Sequence, residues 1–247
     1  MPLNRLIEEF ERQARAARSG AELLCCTEAV ALELGFSRLA LVHALWFAKP
    51  GERLIRLDNF GEWGDIFIAR GYYRNDPALL AAQRTNRPFA WTQFRHLLPP
   101  NRFCPRILSE AIRHGLRVGY TVPIGVMGEP AGCCSFATDA AELPAPHICR
   151  AAAWIASEAF AEARRLHGYP VPVEEAPPQL SPRRLECLHW AVIGRTDEQI
   201  AMIMGAKVTT IRTYMADLRR GFGVCSRTEL ARAAQRAGLI GLEDAIP

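Results

Sequence analysis

No apolar run in this chain of 247 residues approaches the roughly 18 residues that a membrane-spanning helix needs. The opening MPLNRLIEEFERQ, with its acids and broken apolar pattern, lacks the form of a secretory signal, so a cytoplasmic protein without membrane association is expected. The eight cysteines include no C-x-x-C pair. The doublets Cys25-Cys26 and Cys133-Cys134 cannot aim adjacent side chains at one metal from a regular helix or strand, so reduced thiols and neither metal nor cofactor are expected. No nucleophile elbow or base-orienter pattern accompanies Cys133, Cys134 or His147, which weighs against a cysteine or histidine hydrolase. Also missing are the acidic pair after a first strand and the strand-ending Asp with a later Lys that a phosphorylated receiver uses.

What is present fits two domains, one of ordinary size and one small. An apolar share of 49% beside 23% charged residues is that of a globular chain. Five prolines between Tyr169 and Pro182 forbid helix continuation and central-strand pairing, so 169–179 reads as a stiff linker between domains at 1–168 and 180–247.

In the first domain Leu3, Ile7, Phe10, Ala14 and Ala17 recur at helical spacing, and Ser19 with Glu22 has the form of a capping box that starts a second helix ending at Gly35. Strands are expected at Phe36–Phe47 and, after the Pro50-Gly51 turn, at Arg53–Asp58. A short helix over 62–71 puts Trp63 and Phe67 on one face. Asp76 then caps a helix that Pro77 opens. A strand at Phe89–Thr92, a helix at Cys104–His114, a hairpin of Arg117–Ile124 with Ala131–Thr138 around Gly128-Glu129-Pro130, and an alanine-rich helix at Pro144–His167 complete the pattern. The last helix carries a stripe of Ile148, Ala152, Ile155 and Ala159 that suits either a core or a subunit interface. The fold class is α+β, an α-β-α sandwich on an antiparallel sheet.

The second domain reads as all-α, with four helices. Ser181-Pro182, Thr196 with Gln199, and Ser226 with Glu229 mark three helix starts. Leu185, Leu188 and Val192 form the inward stripe of the first helix, Ile200, Ile203 and Met204 that of the second, Val208, Ile211, Met215 and Leu218 that of the third, and Leu230, Ala233 and Ala234 close the core. Two short helices around Met204-Gly205-Ala206 have the layout of a helix-turn-helix. Over 207–236 seven basic residues stand against two acids, a patch suited to phosphate contacts or simply to a solvated face.

At this point the chain resembles the LuxR family of quorum-sensing transcription regulators over nearly its whole length. The match runs through Leu180-Ser181-x-Arg183, Leu188, Trp190, Gly194, Thr196, Ile200-Ala201, Thr210-Ile211, Phe222-Gly223-Val224 and Gly238-Leu239-Ile240. In the first domain the family's pocket positions fall on Trp63, Asp76-Pro77, Trp91, Gly119 and Ser135. The resemblance implies a small-molecule autoinducer, an acyl-homoserine lactone, inside that domain. Trp63 would donate to the lactone carbonyl, Asp76 accept the ligand amide N–H, Ser135 bond the acyl carbonyl and Trp91 wall the lactone ring. Without the resemblance Asp76-Pro77 is an ordinary cap, the tryptophans are core aromatics, Ser135 is a strand serine and Gly119 a site of close approach. Phe67 and Asn59 stand where many family members carry tyrosine, which leaves the particular ligand open.

The resemblance also implies a homodimer on an inverted-repeat operator in double-stranded DNA. Thr210, Arg212 and Thr213 would face the groove, with Arg212 the candidate for a base edge. Lys207, Arg219 and Arg220 are expected on phosphates, with Arg227 contributing, and Thr209 or Thr210 at the recognition-helix start. Arg184, Lys207 and Tyr214 depart from the family pattern on or near the DNA side. A ligand-responsive regulator is therefore the leading reading, ahead of the same regulator with a non-lactone signal or none, and of an enzyme using the N-terminal cysteines or histidine.

Overall fold

The computed structural model describes residues 2–43, 55–99, 105–126, 129, 131–169 and 178–240. The chain divides into two compact units, the first holding Met1–Gly125 and Pro130–Tyr169 and the second centred on Pro170–Pro247. Within the first unit α1 (Leu3–Ala16) and α2 (Gly20–Glu33) are followed by β1 (Arg38–His43) and β2 (Ile55–Asp58). Ser19 accepts from Glu22 N at 3.2 Å, as its capping pattern predicts. The first strand starts two residues later than its apolar run, because Phe36 N closes on Ala31 O at 2.9 Å in the cap of α2. The expected continuation to Phe47 and the Pro50-Gly51 turn lie outside the described residues.

Next come α3 (Glu62–Ala69), a 3-10 turn at Tyr72–Arg74, α4 (Pro77–Ala82), β3 (Phe89–Ala90), a 3-10 turn at Trp91–Gln93, α5 (Phe94–Leu97) and α6 (Pro105–Ile112). The strand expected over Phe89–Thr92 thus ends at Ala90, where Gln93 Oε1 accepts Ala90 N at 3.0 Å and turns the chain. β4 (Val118–Ile124), β5 (Gly132–Thr138) and α7 (Pro146–Leu166) complete the unit. Cys104 and the tip residues Gly128 and Pro130 fall outside the described set.

The strands form one antiparallel sheet in the order β2-β1-β5-β4-β3. Strand side chains alternate between faces, and here the alternation sorts two layers. Leu39 and Leu41 of β1 and Phe136 of β5 join Phe36 in the core beneath α1, α2 and α7. Ala40, Val42, Cys133 and Ser135 face the other way, toward α3, α4 and α6. Ala152, Ile155 and Ala159 of α7 are fully buried, which assigns these three to the core, while Ile148 at the start of the stripe is half-buried. The large exposed side chain of α7 is instead Trp154, whose Nε1 donates to Glu11 Oε1 at 2.8 Å.

The second unit contains α8 (Pro182–Val192), α9 (Asp197–Ile203), α10 (Val208–Gly221) and α11 (Arg227–Arg236). Thr196 with Gln199 and Ser226 with Glu229 both close reciprocal capping boxes. Ser181 takes the N-cap position without a side-chain cap bond. Ile200, Met204, Ile211, Met215, Leu218, Leu230 and Ala234 share one core with Leu188. Two expectations shift by a residue or so: Cys187 and Ala191 take the inward positions, leaving Leu185 39% exposed, and Ile203 is 46% exposed while Ala201 is buried. Each helix presents a slightly rotated face, which an apolar count alone does not resolve.

Candidate ligand cavity and recognition helix

A cavity of about 60 Å³ opens between the sheet and α3, α4 and α6. Its floor is Ala40 and Val42 of β1, Arg56 and Asp58 of β2, and Cys133 and Ser135 of β5, while Trp63, Phe67, Leu79 and Trp91 are among the side chains that wall it. Five residues singled out from the sequence, Trp63, Phe67, Asp76, Trp91 and Ser135, therefore surround one space. Asn59 does not: its Oδ1 accepts Leu39 N at 2.7 Å and its Nδ2 donates to Ser37 O at 3.3 Å, tying β2 to β1 outside the cavity.

Asp76 holds two roles at once. Its Oδ1 accepts Leu79 N at 2.9 Å and so caps α4, whose first residue is Pro77. Burial pushes its pKa up to about 6, against the lowering effect of the Leu79 and Ala78 backbone N–H groups. The carboxylate is thus ionised near neutral pH, with an oxygen to spare beyond the cap. Trp63 is 2% exposed among Phe67, Tyr72 and His114 at ring separations of 6.1, 5.8 and 5.5 Å, and its indole N–H makes no hydrogen bond among the described residues. Tyr72 in turn donates to Glu110 Oε2 at 2.7 Å, fixing this aromatic group against α6.

Trp91 stacks on Phe94 and donates from Nε1 to Thr121 Oγ1 at 3.0 Å, and Thr121 Oγ1 lies 2.9 Å from Ser135 Oγ. Thr121 is fully buried and escaped the reading of the sequence, although its inward position on β4 follows from strand alternation. With the Trp91 proton on Thr121, the Thr121 proton is available to Ser135; donated there, it leaves the Ser135 proton for the cavity or for the neighbouring Cys133 sulfur. Gly119 makes the arrangement possible: a Cβ there would stand 2.3 Å from Trp91 Cε2. Cys133 is also on the floor, and burial pushes its thiol up to about 12, the opposite of what a nucleophile needs. The alternative histidine, His147, is exposed near the start of α7.

In the second unit α9, the turn through Gly205 and α10 form the helix-turn-helix. Thr209, Arg212 and Thr213 are exposed on one face of α10 at spacings of three and four, with Thr210 half-buried beside them. Arg212 is 65% exposed and held loosely, 3.4 Å from Glu198. Lys207 occupies the N-cap position of α10 without a side-chain cap bond, which leaves first-turn N–H groups open for an anion. Arg219 and Arg220 lie in the last turn, Arg220 within 3.3 Å of Asp217. Arg227 is differently employed: it bonds Asp197 Oδ1 at 3.0 Å, Ala191 O at 3.3 Å and Arg195 O, clamping the start of α11 to α8 and α9. Arg184 and Tyr214 also form a structural unit, since Arg184 Nη2 reaches Asp217 Oδ2 at 2.8 Å with its guanidinium 5.9 Å from the Tyr214 ring centroid. The two departures thus lie against each other between α8 and α10.

An α+β unit with an apolar cavity set with a few polar groups, in one chain with a helix-turn-helix, defines a ligand-sensing DNA-binding protein. Residues 19–163 match the model of the autoinducer binding domain, and residues 178–234 that of bacterial regulatory proteins of the luxR family. The chain belongs to the LuxR family of quorum-sensing transcriptional regulators. Its relatives include the regulatory protein SdiA of Escherichia coli, 26% identical with 86% of this chain and 87% of SdiA covered. The quorum sensing-dependent regulator RpaR of Rhodopseudomonas palustris is 26% identical over 73% of this chain and 72% of its own length, and the transcriptional activator TraR of Agrobacterium vitis 23% identical over 85% and 88%. A crystal structure of E. coli SdiA shares the fold at a TM-score of 0.63, with 21% identity and 94% and 97% of the two chains covered. A complex of SdiA with octanoyl-rac-glycerol matches at 0.62, with 19% identity and 96% of each chain.

Proposed function

We propose that the cavity binds an acyl-homoserine lactone and that ligand binding licenses a cytoplasmic homodimer to read an inverted-repeat operator. The observation that carries this reading is the convergence of Trp63, Asp76, Trp91 and Ser135 on one apolar space. Asp76 accepts the ligand amide N–H with its spare oxygen, Trp63 donates to the lactone carbonyl and Ser135 to the acyl carbonyl. Thr121 is the positioning residue that leaves the Ser135 proton free to do so. The cavity, about 60 Å³, is well below the roughly 300 Å³ or more of a typical ligand pocket. Its walls must part to admit an acyl lactone, so ligand occupancy and core packing are coupled.

On the DNA side Arg212 faces a base edge with Thr209, Thr210 and Thr213 beside it, and Lys207, Arg219 and Arg220 lie against phosphates. Two copies are required because one module of this size touches too few base pairs for a specific site. Soluble yield and melting temperature of the full chain, measured with lactones of several acyl lengths, test the sensing half. A rise with at least one length is expected; identical yields and curves throughout would remove it. The glycerol-linked octanoyl group bound by SdiA favours a second reading, an acyl signal without the lactone ring, for which the same assay with acyl glycerols is the control.

A further inference from the structure

The sheet register lays a straight track across the cavity floor. Asp58 of β2 pairs with Ala40 of β1, Ala40 pairs with Ser135 of β5, and Ser135 with Thr121 of β4, all on the cavity face. Beside it run Arg56, Val42 and Cys133 in the next register row. The floor is therefore polar at Ser135, small and apolar in the middle at Ala40, and charged at Asp58 and Arg56. Two interstrand spacings separate Ser135 from Asp58, about 10 Å.

The charged end is built and incompletely satisfied. Arg56 Nε bonds Asp58 Oδ2 at 2.6 Å and Phe60 N donates to Asp58 Oδ1 at 3.2 Å, yet the terminal Nη1 and Nη2 of Arg56 make no hydrogen bond among the described residues. The pair is set into the cavity wall, Asp58 at 11% and Arg56 at 30% side-chain exposure. Gly64 of α3 lets the helix approach the pair this closely, since a Cβ there would lie 2.6 Å from Arg56 Nη2 and 2.8 Å from Asp58 Oδ1 and would force the pair to shift. An alkyl end seated here would strip the remaining water from both ions and return nothing. A neutral hydroxyl returns both bonds, accepting from an Arg56 Nη–H and donating to an Asp58 lone pair. A ligand carboxylate would satisfy Arg56 but face Asp58.

The geometry points to a second polar subsite at Arg56 and Asp58 that recognises a hydroxyl at the far end of the ligand's acyl group. This inference rests on the acyl-lactone reading above and gives it a substrate class: acyl chains with a terminal hydroxyl. With about 1.2 Å of advance per bond in an extended chain, 10 Å between the acyl carbonyl and the hydroxyl corresponds to about eight bonds, the length of an 8-hydroxyoctanoyl group.

The test is a competition for the full-length protein. Protein produced in the presence of equal concentrations of N-octanoyl- and N-(8-hydroxyoctanoyl)-homoserine lactone is gel-filtered, and the retained lactones are quantified by mass spectrometry. The hydroxylated lactone is expected in at least tenfold excess, falling to within about threefold of parity in Arg56→Met and in Gly64→Ala, whose added methyl displaces the Arg56–Asp58 pair. Two variants on different elements guard against the failure of either to fold, and the wild-type ratio is decisive without them. Parity or an octanoyl preference in the wild type overturns the subsite while leaving the lactone cavity intact. Retention of neither lactone overturns both readings.

Discussion

Replacing Asp76 by Asn removes one buried charge while preserving the cap of α4, because Asn and Asp are equivalent at an N-cap. The Asp76 pKa rises from an ordinary 3.8 to about 6 through burial. A carboxyl whose folded pKa lies above its unfolded value weakens the fold as pH rises: below about 4 it is protonated in both states, between about 4 and 6 only the unfolded chain gives up its proton, and above about 6 the full cost is present. Two pKa units correspond to about 3 kcal/mol. The wild type should therefore lose up to about 3 kcal/mol relative to Asp76→Asn between pH 4 and pH 7.5, roughly 6–12 °C in melting temperature for a unit of this size. The same substitution puts an Nδ2 donor where the ligand amide N–H needs an acceptor, so the ligand-induced rise in melting temperature expected of the wild type should be absent from the variant. The assay is thermal melting across pH with and without lactone. Parallel pH profiles for the two proteins would refute the buried carboxylate, and an undiminished ligand response in the variant would refute its role as amide acceptor.

Other perturbations have equally definite outcomes. Gly119→Ala drives a methyl into the Trp91 ring and should lower stability by about 2 kcal/mol or more, read by chemical denaturation. Thr121→Val keeps the shape but strands the Trp91 N–H and the Ser135 hydroxyl, costing about 1–3 kcal/mol in stability and weakening lactone binding measured by calorimetry. Arg212→Ala should abolish specific operator binding in a gel-shift assay while ligand-dependent folding persists; loss of both would contradict the division of labour. Arg184→Ala, by contrast, should destabilise the second unit by about 1 kcal/mol through loss of its Asp217 pair without a sequence-specific defect.

Much of this was legible from the residues because caps and turns are local. Ser19, Asp76, Thr196 and Ser226 each close the cap that their spacing announces. The cavity set is long-range, and its members came together in the sequence through resemblance rather than periodicity. Asn59 shows the limit of that route, since its side chain is spent on the backbone of Ser37 and Leu39. Arg56 and Asp58 show the limit of the other: the strand they lie on is expected from the residues, but that both faces of this sheet are covered and that these two side chains look into the cavity emerges only from the fold. Arg184 and Tyr214 read singly as departures near DNA, and only the fold reveals that they pair with each other.

Asp76 and its neighbours are proposed to hold an acyl-homoserine lactone inside the first unit. The most direct test is mass spectrometry of the small molecules released from full-length protein expressed beside a set of lactone synthases, run in parallel for the wild type and Asp76→Asn. Close to one lactone per wild-type chain and almost none from the variant is the expected result. A wild type that emerges soluble and empty from every synthase, or a variant that retains as much lactone as the wild type, would contradict it.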